Sequence, residues 1–336
     1  MSTIAKKVGA AAAGVGGDET GSYIVCGTSS GTVHLLDHTT KGSLSTADTY
    51  NVGNQCFDYA FSPDGNYIAC VSNGNVYLLD HTTRGSLSLA TTYTTSGGFG
   101  CAWSPDGNYL AIGFNNNNGQ TLRTLNHTTA GSLSTQDTHS VAGYGSAADF
   151  SYSGDYLTVA GVQSPYFTML TVNSSGNLSS GTTFSTVGEL PLSGKNCTFS
   201  PDDNYIAVAQ DGSPYFRLLS RSGSSVSSAA TLTLARGRAC CFSGLGDYIA
   251  FTQDSSTNGL RLIDHTTAGS VSLAASLNTP NSARSVDFSN DGQYIVVTCE
   301  GDHLLLADHT TAGSLSQATT FSISGLGLYG VAFSPD

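Results

Sequence analysis

Phe61 to Ser88 reads FSPDGNYIACVSNGNVYLLDHTTRGSLS, and its pattern returns along nearly the whole chain. Variants of FSPDGNYIA stand at Trp103 to Ala111, Phe150 to Thr158, Phe199 to Ala207, Phe242 to Ala250 and Phe288 to Val296, with a truncated copy at Phe333 to Asp336. The aromatic anchors Phe61, Trp103, Phe150, Phe199, Phe242, Phe288 and Phe333 are 42 to 49 residues apart, a period that marks a propeller blade or another repeat array. Within one repeat, short alternating runs are divided by turn residues, which predicts four strands and no helix. The first run ends at Pro63-Asp64-Gly65, where Pro presets φ and Gly absorbs a positive one. In the second, Tyr67 and Ala69 face one way and Ile68 and Cys70 the other, so both faces are apolar and the strand is expected to be sandwiched between neighbouring blades. A Gly/Asn turn leads to a third run, Val76 to Leu79, and the Asp80-His81-Thr82-Thr83-Arg84-Gly85 turn to a polar fourth, whose Ser/Thr content suits an outer edge.

The ends of the chain complement each other. Ser22 to Cys26 matches a second strand with no first strand before it, and Gly330 to Asp336 matches a first strand with nothing after it. Joined, they make one repeat. The expected fold is therefore an all-β, seven-bladed β-propeller with four-stranded antiparallel blades, its ring closed by the C-terminal strand completing blade one. Residues 18–336 form this single domain, preceded by a Gly/Ala-rich arm over residues 1–17 that bears Lys6 and Lys7.

Only 11% of residues are charged and the net charge is −12, which disfavours a nucleic-acid or anionic-membrane surface. No apolar stretch has the length of a membrane span. Of the eight cysteines, Cys26, Cys70, Cys101, Cys197 and Cys240 fall at strand positions held in other blades by Ala, Val, Ile or Tyr, so the cysteines read as buried free thiols. That usage fits synthesis in a reducing cytoplasm without a cleaved signal peptide. No cysteine or histidine spacing points to zinc, and no cofactor or metal is expected.

Several motifs invite functional readings that the repeat explains more simply. The Asp-His-Thr-Thr turns put one imidazole in each of five blades, His38, His81, His127, His265 and His309, spaced too widely to share an ion. They read as hairpin chemistry with at most a weak surface response to pH. Gly27-Thr28-Ser29-Ser30-Gly31 matches the nucleophile-elbow pattern but lies between strands, with no helix to follow. Function is expected where blades differ, in the loops of one face. These are residues 113–120, 161–166, 210–215, 252–259 and 299–302, with inter-blade loops near 189–195, 236–238 and 282–284. In so weakly charged a chain, Arg236, Arg238 and Arg284 in successive inter-blade loops, with Asp211 and Glu300 nearby, are the candidate partner- or ligand-binding residues.

The FSPDGNYIA, SPDDNYIAV and LLDHTTxGSLS elements resemble those of the seven-bladed superfamily of WD40-like, YVTN-type and lactonase-type repeats. Gly-His and Trp-Asp dipeptides are missing, and no lactonase active site transfers residue by residue. The near-identical Ser/Thr-rich repeats are also similar to propeller proteins of bacteriophage particles. These likenesses imply, as a first expectation, a non-enzymatic structural or protein-binding disc, a virion component acting in assembly or display, with a protein partner or a second copy as its contact. Two alternatives stand beside it. One is a lactonase-like hydrolase at the channel mouth that uses Arg236, Arg284 and Glu300; the other is a glycan-binding propeller.

Overall fold

A computed structural model describes residues 23–114, 121–141, 145–161, 164–184, 194–324 and 327–335, and these described residues form seven four-stranded antiparallel sheets and no helix. The arm at residues 1–17 and parts of the predicted loops (115–120, 162–163 and 189–193) lie outside the described residues. Blade one is assembled from both ends of the chain: Leu328–Phe333 is its inner strand, beside Tyr23–Thr28, Thr32–Asp37 and Ser45–Asn51. Tyr23 and Ser334 latch this junction, Ser334 N–H donating to the Tyr23 carbonyl at 2.8 Å and Tyr23 N–H to the Ser334 hydroxyl at 3.0 Å. Ring closure and the blade count are as the sequence predicts.

Second strands are buried throughout, as in Tyr67–Ser72 and Tyr294–Cys299. The core lies between blades, not within one. A single cluster joins Val25, Val33 and Leu35 of blade one to Tyr59, Ile68, Cys70 and Leu79 of blade two. Each such side chain contributes about 1.5–3 kcal/mol by leaving water, and because it touches two blades the ring is stabilised as a unit. All eight cysteines are free thiols, and burial pushes Cys26 and Cys56 up to about 12, so they act as small apolar residues.

The turn chemistry is local and repeated. Ser62 Oγ accepts the Tyr67 N–H at 2.9 Å and donates to Asp64 at 2.6 Å, while Asp64 accepts the Asn66 N–H at 3.0 Å. The imidazoles correct one expectation. They form no surface rim: His38, His81, His127, His265 and His309 are all buried. His127 stands edge-on between Tyr67 of the preceding blade and Trp103 of its own, at 5.0 and 4.9 Å, and its Nδ1 meets the Gly107 carbonyl at 3.1 Å. Gly131 N–H donates to its Nε2 at 3.3 Å. Gly131 holds φ +73, a left-handed position that the turn requires. The same ring lock recurs at His38, His81, His265 and His309, each between a tyrosine of the previous blade and an aromatic anchor of its own. Both glycine contacts are repeated at His81 and His265, whereas the Nδ1 of His309 meets the Gly292 carbonyl at 2.8 Å and its buried Nε2 has no hydrogen-bond partner among the described residues.

Candidate functional site

Every inner strand carries a β-bulge at one place. Cys56 pairs with Ser72 and Asp58 with Val71, leaving Phe57 unmatched. The same irregularity leaves out Phe99 between Gly98 and Gly100, and Arg238 between Gly237 and Ala239. In blade seven it leaves out Arg284, between Ala283 and Ser285. In blades four and five the position is held by Ser146 and Lys195. In blade one, Tyr329 and Gly330 together face Gly27. A bulge bends its strand and re-aims a side chain. Here the bulge always falls four residues before the aromatic anchor, and in five blades the residue it holds lines the channel mouth.

Those residues divide by chemistry. Tyr329, Phe57 and Phe99 come from three consecutive blades, with Phe57 packed edge-on to Tyr329 at 5.8 Å and tilted against Phe99 at 5.1 Å. Arg238 and Arg284 come from adjacent blades on the other side, and the Arg284 guanidinium lies 4.7 Å from the Tyr329 ring, joining the two groups. These five residues, with Asp58, Ala147, Ala239, Ser285 and Gly330, line a cavity of about 410 Å³.

Acids on the surrounding loops orient the arginines. Arg284 donates to Glu300 at 3.1 Å and Arg238 to Asp254 at 2.6 Å. Among the described residues these are the only hydrogen bonds their side chains make, so most of each guanidinium's five donors stay unused. Arg236 is held differently, by a two-pronged pair with Asp211 at 3.0 and 3.2 Å and a further contact with Asp254 at 3.2 Å. The candidate cluster thus separates. Arg238 and Arg284 lie on inner strands, not in loops, and reach the cavity; Arg236, Asp211 and Glu300 do not line it and serve to brace.

Asp58 is not among the candidates that the sequence suggests. Three inner-strand carboxylates staple neighbouring blades: Asp149 accepts the Phe199 N–H at 2.8 Å, Asp287 the Phe333 N–H at 2.8 Å, and Asp58 the Cys101 N–H at 2.9 Å. Asp149 and Asp287 immediately precede their anchors, whereas Asp58 stands three before Phe61, two residues closer to the mouth. The corresponding places hold Gly100, Ala147, Asn196, Ala239, Ser285 and Gly330, so Asp58 is the one acid of its ring. Burial pushes its carboxyl up to about 6, against the opposing pull of the Cys101 and Tyr59 N–H groups. Gly330 makes its room: a Cβ there would stand 2.8 Å from Asp58 Cα and 3.0 Å from Oδ1. Below the mouth the channel narrows to a space of about 300 Å³ among Trp103, the inner-strand cysteines and the anchors.

A WD-domain, G-beta-repeat family model matches residues 48–80, within blades one and two. No curated protein matches the chain. Among solved structures, a periplasmic gluconolactonase of Pseudomonas aeruginosa superposes with a TM-score of 0.78 at 16% identity, covering 93% of this chain and 98% of that one. A Bacteroides uniformis protein, provisionally assigned as a 6-phosphogluconolactonase, superposes with a TM-score of 0.80 at 14% identity over 93% and 98% of the two chains. A Lactobacillus plantarum protein does so with a TM-score of 0.77 at 18% identity over 93% and 99%. At these identities the likeness shows the fold. The names nevertheless correct the first expectation: they count against a non-enzymatic virion disc, and against the absence of an enzyme, and favour the hydrolase alternative. Among the described residues no helix is long and apolar enough to cross a membrane, and no group of His, Cys, Asp and Glu is arranged to hold a metal ion.

Proposed function

We propose that the chain is a lactone hydrolase working at the channel mouth. The observation that carries this reading is the meeting of Asp58, a carboxyl with its pKa raised to about 6, and the partly unused guanidiniums of Arg238 and Arg284 on the wall of one cavity. A group that titrates near neutrality suits general acid–base work. The names borne by the superposed propellers point the same way.

In this reading ionised Asp58 takes a proton from water as the water oxygen attacks the lactone carbonyl. Negative charge gathers on the carbonyl oxygen, where Arg238 and Arg284 supply fixed positive charge. When the tetrahedral intermediate collapses, the ring C–O bond breaks and the alkoxide recovers the proton from Asp58, so water has added across the ester; the new carboxylic acid then releases its proton to solvent and the carboxylate faces the arginines. Glu300 and Asp254 keep the guanidiniums pointed inward. Arg284 and Glu300 thus retain roles from the hydrolase alternative, whereas Arg236 lies outside the cavity.

The test is a pH-stat assay over sugar, aliphatic and aromatic lactones. Turnover is expected to rise with pH through about 6, and Asp58→Asn, which keeps the acceptor for Cys101 N–H, to lower kcat by about 100-fold or more while the protein stays folded. Absence of turnover on every lactone, or full activity in Asp58→Asn, would remove the proposal.

A further inference from the structure

The sugar-lactone names of the superposed propellers suggest a polyhydroxylated substrate, and the cavity wall argues against one. Apart from its charged groups, the wall consists of Phe57, Phe99, Tyr329, Ala147, Ala239, Gly330 and the hydroxyl of Ser285. A polyol lying against the rings and alanines would leave the hydroxyls on that side without partners, each at a cost. Three rings stand together on one side, half-buried, edge-on or tilted to one another so that they form a notch. Such an arrangement takes the edge or face of a flat apolar ring.

Resting on the hydrolase reading for its chemistry, we infer that the occupant is an aromatic lactone and its ring-opened hydroxy acid. The aryl ring sits among Phe57, Phe99 and Tyr329, and the carboxyl group faces Arg238 and Arg284. The two sides of the mouth then divide the task, apolar residues choosing the substrate and charged residues handling the charge that develops. The Arg284 guanidinium over the Tyr329 ring marks the seam between them and sets the spacing from ring to carboxylate. Phe57, Phe99 and Tyr329 are specificity residues in this assignment, held at one backbone position by the bulge.

Calorimetry with two monoanions of opposite character separates the possibilities. The full-length protein is titrated with 3-(2-hydroxyphenyl)propionate, the acid formed by opening dihydrocoumarin, and with gluconate. The aromatic acid is expected to bind about tenfold tighter, equivalent to about 1.4 kcal/mol. Phe57→Leu with Phe99→Leu, which keeps an apolar lining and the fold, should erase most of that preference, and Arg284→Ala should weaken both acids. Equal or tighter gluconate binding overturns the inference, as does a preference that survives the double leucine variant. Turnover is scored separately on dihydrocoumarin and glucono-δ-lactone. Aromatic-selective binding without turnover of any lactone leaves the subsite standing and removes the hydrolase; turnover with gluconate preferred does the reverse.

Discussion

The two faces of the disc use the same repeat to opposite ends. On the turn face, five blades place one imidazole between the same two kinds of ring, the tyrosine centroid always 4.9 to 5.1 Å away. At the channel mouth the backbone is equally regular, a bulge four residues before each anchor, yet the bulge residues that line it are Tyr329, Phe57, Phe99, Arg238 and Arg284. Uniform side chains on a uniform backbone are what packing demands, because every blade must fit a like neighbour. Variety on a uniform backbone, gathered round one cavity, is what a ligand with unlike parts demands.

Removing the shared support of both faces should have the largest effect. Deleting 328–336 takes the inner strand from blade one, exposes the Tyr23–Thr28 edge and removes Tyr329 from the mouth. We expect loss of cooperative unfolding and aggregation in size-exclusion chromatography; a normal melting temperature would contradict closure of the ring.

Damage confined to the turn face should lower stability and spare the mouth. Tyr67→Ala removes a buried ring that packs against His127 in the next blade, and should cost about 3–5 kcal/mol. His127→Ala removes two hydrogen bonds and two edge-on ring contacts, and should cost about 2–3 kcal/mol. Blades four and five sharpen the point because they lack the histidine. In blade five the Arg221 guanidinium lies 4.6 Å from the Tyr156 ring and donates to the Asp203 carbonyl at 2.5 Å. Asp203 itself, at φ +61, clamps the Tyr152 and Ser153 N–H groups of blade four at 2.6 and 2.8 Å. Arg221→Ala should cost less than His127→Ala, about 1–2 kcal/mol in denaturant melts, since its ring contact is half open to water. A larger loss than at His127 would show the substituted lock to be the stronger one.

The architecture is legible in the sequence because the physics of a propeller is local and repeated: anchor, turn and second strand return at a steady period. The site is legible only in part. Arg238 and Arg284 stand out as rare charges where blades differ, and Glu300 falls in a loop that the repeat already singles out. Phe57, Phe99 and Tyr329 escape a sequence reading because an aromatic next to an inner strand reads as core until the bulge that turns it outward is seen. Asp58 escapes for a related reason, since its distance from the anchor means little without the register that separates it from Asp149 and Asp287. The five histidines mislead differently: polar residues in a hairpin turn suggest a surface, and only the stacking of blades buries them.

Asp58 can also be tested through stability alone. Its carboxyl is raised from the ordinary 3.8 to about 6, so between these values the folded protein holds a proton that the unfolded chain releases. The stabilisation this gives is fully present below about pH 4 and is lost as pH rises through about 6. The Asp58→Asn protein has no proton to release there, and its stability relative to wild type should therefore improve across that window and level off above it. Chemical denaturation at pH 4, 5, 6 and 7 measures the difference directly. If Asp58→Asn tracked wild type in parallel at all four values, the carboxyl would be ionising as in water, and the channel mouth would lose its candidate base while the turn face kept every lock.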